Sequence, residues 1–212
     1  MKAIFVKAAK DLQVLDCEKQ RMTPSEVRVK ISHGGICGSD LHYFNHGKVG
    51  FSKLREPMIL GHEVSGFISD VGENVSGFEI GDLVAINPAK PCGECFFCEQ
   101  NRSNQCSSMK FFGSALLFPH IQGAFREEIV VNGSQCFKLN FSTPDIAAMV
   151  EPLSVVLHAI GRAGNLDGRR VLISGAGPIG LITVGLCSYH RAESISITDI
   201  ETYPLSLAQK LG

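Results

Sequence analysis

Four cysteines, Cys92, Cys95, Cys98 and Cys106, crowd into the segment KPCGECFFCEQNRSNQC with the spacing C-x2-C-x2-C-x7-C. Short spacers let one turn aim successive sulfurs at a single point, and Gly93 relieves the crowding where the chain doubles back. Four thiolates satisfy tetrahedral Zn²⁺ and leave no position open for substrate, so the set is expected to be a structural zinc site that staples a loop. An iron–sulfur cluster also takes four cysteines, and four reduced thiols in a loop are the plain alternative. A second group offers different chemistry. GGICGSDLH, residues 34–42, holds Cys37 in a glycine-rich loop with Ser39 two residues on and His42 five on, and GHEVSGFISDVGENV, residues 61–75, sets His62 beside Glu63. A thiolate, an imidazole and a carboxylate make a three-ligand zinc set whose fourth position stays free for water or substrate, which is a catalytic arrangement. Singly, a cysteine is most often a small buried hydrophobe and a histidine a partner for the backbone, so the case rests on the set.

A third group lies in RRVLISGAGPIGLITVGL, residues 169–186. Val171 to Ser174 form a short strand, and Gly175, Gly177 and Gly180 then make G-x-G-x-x-G at the opening of a helix, with Pro178 and Ile179 inside the same turn. Backbone N–H groups and the helix N-terminus at this turn are expected to face a pyrophosphate. The next strand, SISITD, ends at Asp199, whose carboxylate can accept from ribose hydroxyls and repel a 2′-phosphate. That favours NAD over NADP, with NADP still possible; the bland alternative is a solvated turn residue.

The elements that must carry these residues fall into two parts. Residues 3–16, 27–33, 63–72, 83–86 and 124–131 are short runs rich in Val, Ile and Phe, broken by Gly, Pro and Asp, as in an all-β barrel or sandwich. VRVKIS, residues 27–32, alternates most clearly. Pro144 and Asp145 after Thr143 read as a helix start, Asp40 as a cap on the short helix after Cys37, and 153–164 as a helix ended by Gly164 that bridges the two parts. With 212 residues, 44% of them hydrophobic and 19% charged, the chain should be globular. A formal net charge of −1 offers no basic face for nucleic acid. Ala3 to Val6 is too short for a signal-peptide core, and the uncharged stretch Val171 to Tyr189 is cut by glycines and Pro178, so neither export nor a membrane span is expected. Eight cysteines without an export signal then point to reduced, metal-binding thiols and to the cytoplasm.

GHEVSGFISDVG fits the zinc alcohol dehydrogenase signature G-H-E-x2-G-x5-G through Gly61, His62, Glu63, Gly66 and Gly72, and GGICGSDLH resembles the same family's cysteine loop. FEIGDLVAI, residues 78–86, resembles its turn into a barrel strand. EPLSVVLHA, residues 151–159, is similar to the sorbitol dehydrogenase branch of the zinc-dependent medium-chain dehydrogenase/reductase family, and INPAKPCGECFFC, NQCSSMKFFGSA and FPH to the L-idonate 5-dehydrogenases within it. The resemblance implies a GroES-like β-barrel catalytic domain over residues 1–150, and over 151–212 a bridging helix and the first, incomplete part of a Rossmann NAD-binding domain. It implies two Zn²⁺ per chain. Cys37 and His62 would be ligands of the catalytic ion, with Glu63 and Glu151 as carboxylates that ligate directly, in exchange or through water. Ser39 and His42 would relay the alcohol's proton, and Tyr43 and Phe112 would shape the substrate pocket. A sugar acid would be oxidised to its ketone, with Lys48, Arg55, Lys110 and His120 as candidate cations for its carboxylate; a polyol such as sorbitol or xylitol is the alternative. A zinc-stabilised binding module without catalysis is the alternative of another class. The intact protein would be a homodimer or homotetramer, and these 212 residues alone would turn over poorly or not at all. IETYPLS lacks the arginine that often follows the acidic residue in this branch, which leaves the adenine contacts open.

Overall fold

The computed structural model describes residues 1–140 and 143–212. These form two compact units, Met1–Glu151 and Pro152–Gly212.

In the first unit, β1 (Lys2–Ala8) and β2 (Asp11–Asp16) pair as an antiparallel hairpin. The run 3–16 is thus two strands, turned at Lys10 with a φ of 64°. Neither Gly nor Pro marks that turn, so the residue pattern reads through it. The chain continues through β3 (Glu26–Gly35), α1 (Gly38–His46), the small hairpin β4 (Lys48–Val49) and β5 (Ser52–Lys53), then β6 (Met58–Ile59), β7 (Glu63–Val71) and β8 (Leu83–Ile86). β9 (Ala89–Lys90) and β10 (Lys110–Phe111) pair at the base of the four-cysteine lobe, which holds the single turn α2 (Phe96–Glu99). β11 (Glu128–Asn132), β12 (Cys136–Lys138), α3 (Pro144–Ala148) and the start of α4 (Val150–Ala163) complete the unit.

Two sheets build the first unit: a five-stranded sheet in the order β11-β3-β7-β8-β12 and a three-stranded one in the order β2-β1-β6, antiparallel at each pairing. The alternation of VRVKIS becomes a face: Val27 and Val29 are fully buried, while Arg28 is half-buried and Lys30 exposed on the other side. With Val64, Ile68, Val84 and Ile129 they make the main core, and full burial of each such side chain stabilises by about 1.5–3 kcal/mol. The run 124–131 becomes a strand only from Glu128. Before that the chain ties the two sheets, through the bridge Ala3–Arg126 and the hydrogen bond from Ile4 N–H to Phe125 O at 2.9 Å.

In the second unit α4 ends at Gly164, whose φ of 88° favours glycine. There follow β13 (Arg170–Ser174), α5 (Pro178–Tyr189), β14 (Ser194–Thr198) and α6 (Thr202–Leu211). β13 and β14 pair in parallel from Arg170–Ser194 to Ser174–Thr198, with α5 as the crossover, which makes a Rossmann-type βαβ unit. Ile173, Val184, Cys187 and Ala208 form its core. The uncharged stretch Val171–Tyr189 is divided between β13 and α5, and no helix among the described residues is long and apolar enough to cross a membrane.

Candidate active site

β3 delivers the chain to Cys37, which is the N-cap of α1, while the adjacent β7 opens with Glu63 immediately after His62. Gly35 pairs with Glu63 in the β3–β7 register, so the two loops meet by construction of the sheet. The sulfur of Cys37, a ring nitrogen of His62 and a carboxylate oxygen of Glu63 lie within 4.8 Å of one another. Glycine is required on both sides. A Cβ at Gly35 would lie 2.2 Å from Glu63 Oε2, and one at Gly61, whose φ is 93°, would lie 2.2 Å from Phe125. The glycines of the cysteine loop therefore make room for the carboxylate, beyond merely bending the chain.

Asp40 fixes the pair of loops. It is 3% exposed, accepts from Cys37 N–H at 2.9 Å to complete a capping box on α1, and with its other oxygen accepts from Gly61 N–H at 3.2 Å. The sequence marks it as a helix cap; the second bond, to a loop 21 residues away, leaves no trace in local spacing.

Charge is concentrated here. Contact with the His62 ring holds the Cys37 thiol below its usual range, with Ser39 adding hydrogen bonds to the sulfur. Burial pulls His62 down, but Cys37 and the charges of Asp40 and Glu151 outweigh it, for a net upward shift. Burial raises the carboxyls of Asp40, Glu63 and Glu151. His62 is 6% exposed, and its Nδ1 is a buried atom without a hydrogen-bond partner among the described residues. A ring nitrogen, a thiol and a carboxylate gathered within 4.8 Å fit a borderline-soft dication such as Zn²⁺. Glu151, in the first turn of α4, lies within electrostatic reach of His62 and Glu63 but outside the 4.8 Å set. α4 begins three residues before the expected start, because Pro152 in its first turn needs no N–H partner.

A cavity of about 200 Å³ opens beside this set, lined among others by Ser39, Tyr43, His62, Phe112, Ser52 and Ser114. Its last two serines come from the β4–β5 hairpin and from the loop after β10, segments that only the fold brings together, and no motif announces them. His42 is exposed on α1 with its ring 5.7 Å from that of His46 and does not line the cavity. None of Lys48, Arg55, Lys110 and His120 lines it either. His120 is buried with both ring nitrogens engaged by the backbone, Nε2 accepting from Arg55 N–H and Nδ1 paired with Leu117 O, each at 2.8 Å. The Arg55 guanidinium stacks over Phe118 at 4.6 Å.

The four-cysteine lobe is assembled as its spacing suggests. Sulfur–sulfur distances are 3.5 Å for Cys92–Cys106, 3.6 Å for Cys95–Cys98 and 4.0 Å for Cys92–Cys98. A tetrahedral zinc with Zn–S near 2.3 Å has sulfur–sulfur edges of about 3.8 Å, so the set fits the ion. Backbone N–H groups of Cys92 and Ser108 point at Cys106 Sγ at 3.2 and 3.4 Å. N–H groups of Cys98 and Ser107 bring Cys95 down to about 5, whereas burial pushes Cys98 up to about 12.

In the second unit Gly175, with a φ of 94°, turns the chain from β13 into α5, and a Cβ at Gly180 would lie 2.0 Å from Gly175 O. Glycine there is what lets the helix seat against the strand end. Gly177 caps α5, Pro178 and Ile179 form its first turn, and the place of a Gly177 Cβ is open space. Asp199 accepts from Ala176 N–H at 2.6 Å and Glu201 N–H at 2.9 Å, which hold its carboxyl low, the Glu201 bond most strongly. Beside it lies a cavity of about 420 Å³ lined by Ser174, Gly175, Thr198, Asp199 and Ile200. A carboxylate has about four lone-pair sites, so these bonds leave capacity for a ribose hydroxyl.

Residues 23–141, more than half of the chain, match the alcohol dehydrogenase GroES-like domain. The chain belongs to the zinc-dependent medium-chain dehydrogenase/reductase family, in its sorbitol dehydrogenase branch. It is 45% identical over 185 residues to the L-idonate 5-dehydrogenase (NAD(P)(+)) of Escherichia coli K12, covering 87% of this chain and 53% of that one. It is 35% identical over 213 residues to the sorbitol dehydrogenase of Bacillus subtilis 168, covering 100% of this chain and 59% of the relative. The crystal structure of L-idonate 5-dehydrogenase from Escherichia coli K-12 superposes with a TM-score of 0.89 at 40% identity over 100% of this chain and 60% of that one. The chain thus spans between half and three-fifths of the length of these relatives.

Proposed function

We propose that these residues are the catalytic domain and the opening of the nucleotide-binding domain of a zinc-dependent dehydrogenase. Its reaction interconverts L-idonate and 5-ketogluconate by hydride transfer between the carbinol carbon and a nicotinamide, NAD preferred and NADP possible. The observation that carries this is the meeting of Cys37, His62 and Glu63 within 4.8 Å beside the cavity that Ser39 lines. Those three residues would hold the catalytic Zn²⁺, with Glu151 as a second carboxylate in reserve, and Cys92, Cys95, Cys98 and Cys106 would hold the structural one. Bound at the first site, Zn²⁺ supplies Lewis-acid chemistry that lowers the pKa of an alcohol.

The chain's own groups do the rest. Ser39 takes the alcohol's proton through its hydroxyl without bringing a competing charge into the site. His42, one turn further along α1, is the proposed outlet toward solvent. Tyr43 and Phe112 confine the carbon chain. Gly175, Gly177, Pro178, Ile179 and Gly180 would cradle the pyrophosphate at the N-terminus of α5, and Asp199 would accept from the ribose. The working form is a cytoplasmic homodimer or homotetramer.

A polyol substrate is the second reading, supported by the 35% identity to a sorbitol dehydrogenase over the whole chain. Reduction of 5-ketogluconate against fructose by the full-length protein separates the two; a clear preference for fructose overturns the sugar-acid assignment. Metal analysis separates both from a non-catalytic binding module: the dehydrogenase holds two zinc ions per chain, and a single ion confined to the four-cysteine lobe removes the catalytic reading.

A further inference from the structure

Among the described residues, the cavity beside Cys37 and His62 is lined by hydroxyls and by no charged side chain apart from His62 itself. Ser39 and Tyr43 enter from α1, Ser52 from β5 and Ser114 from the loop after β10. Tyr43 is 3% exposed and its oxygen accepts from Ala115 N–H at 2.9 Å, while Ser114 Oγ accepts from Leu116 N–H at 3.3 Å. Both therefore have lone pairs occupied by this loop, and their O–H groups remain to be donated. Ser52 is half-buried and pairs with Val49 through its backbone, while its hydroxyl makes no hydrogen bond to another described residue and can both donate and accept.

This inventory selects the ligand. A carboxylate taken from water into such a site needs a cation or several convergent donors, and without one the desolvation cost is several kcal/mol. A carbinol both donates and accepts, as a serine does. We propose that Ser52 and Ser114 are specificity-determining residues that bind a neutral carbinol of the substrate next to the reacting centre, and that none of these lining residues binds the carboxylate of a sugar acid. The inference rests on the dehydrogenase reading and refines it. L-idonate and the polyols share a hydroxylated, uncharged carbon chain around the reacting carbon, which is the part this cavity reads.

The test uses the full-length, zinc-loaded protein with xylitol, its five-carbon analogue 2-pentanol, and L-idonate. Replacing Ser52→Ala or Ser114→Ala lowers the ratio of kcat/KM for xylitol over 2-pentanol about tenfold each, and the double variant about a hundredfold. Ser52→Thr, which keeps the hydroxyl, restores most of the ratio. L-idonate loses the same factor as xylitol in each Ala variant, and Ser52→Lys does not raise L-idonate relative to xylitol. A structural role would lower all three substrates together and leave the ratio intact, which overturns the inference, as does a rise in L-idonate preference for Ser52→Lys. If the wild-type protein turns over none of the three, the dehydrogenase reading fails and takes this inference with it; turnover with unmoved ratios overturns the inference alone.

Discussion

Asp40 commits both carboxylate oxygens to main-chain N–H groups, those of Cys37 and Gly61, and so holds in place the two loops that carry the proposed ligands. Asp40→Ala leaves two N–H groups unpaired in a buried place, at a cost of about 2–6 kcal/mol. Urea unfolding should show that loss, and zinc affinity at the three-ligand site should fall about 10- to 100-fold. Unchanged stability would show that water replaces the carboxylate without loss. Gly35→Ala acts differently, because its methyl group would occupy the place of Glu63 Oε2. The expected outcome is a folded chain that keeps the structural ion and loses the other, one zinc in place of two by metal analysis. Retention of both ions would mean that Glu63 is not a ligand.

At the scale of elements, Asp199 joins two turns: the one between β13 and α5 through Ala176, and the one between β14 and α6 through Glu201. Its carboxyl is held below the ordinary 3.8, so its contribution to stability is present above the unfolded value and is lost as pH falls through the lower folded value. The amide resonances of Ala176 and Glu201 should titrate together with a midpoint under 3.8. A midpoint above that would show that the two bonds do not persist in solution. The same elements show what could be read from residue order. The alternation of VRVKIS shows as a strand face with Val27 and Val29 buried, and strand, glycine turn and helix follow one another around Gly175–Gly180 as the motif requires. The hairpin within 3–16 stayed hidden because Lys10 takes a left-handed turn that carries no residue signature, and β12, only three residues long, has too few positions to show a period. His120 was a plausible cation until its burial and its two backbone bonds were visible; Ser52 and Ser114 belong to no motif, because topology alone joins them.

Within these 212 residues, the two units are present to different depths. Five paired strands share the core of the first, whereas β13 and β14 form a two-stranded sheet with Leu172 at 73% and Ile200 at 96% exposure around it. Few-stranded sheets are marginal, so in these 212 residues taken alone the amides of β13 and β14 should exchange with deuterium at least about tenfold faster than those of β3 and β7. Equal protection would contradict that contrast. The two proposed metal sites differ in the same way. The lobe around Cys92–Cys106 contains one short α-helix, one 3-10 turn and little regular pairing, while Cys37 follows β3 and Glu63 opens β7, two long paired strands. Chelation should therefore make residues 91–109 sensitive to protease and leave β3 and β7 resistant. The proposed three-residue set is a socket cut into paired strands, whereas the cysteine lobe has little but its own sulfurs and their guest to hold its shape. On the proposed reading, scarce zinc would leave a socket that refills without reorganising its surroundings and a lobe that has to regain its shape as it captures metal.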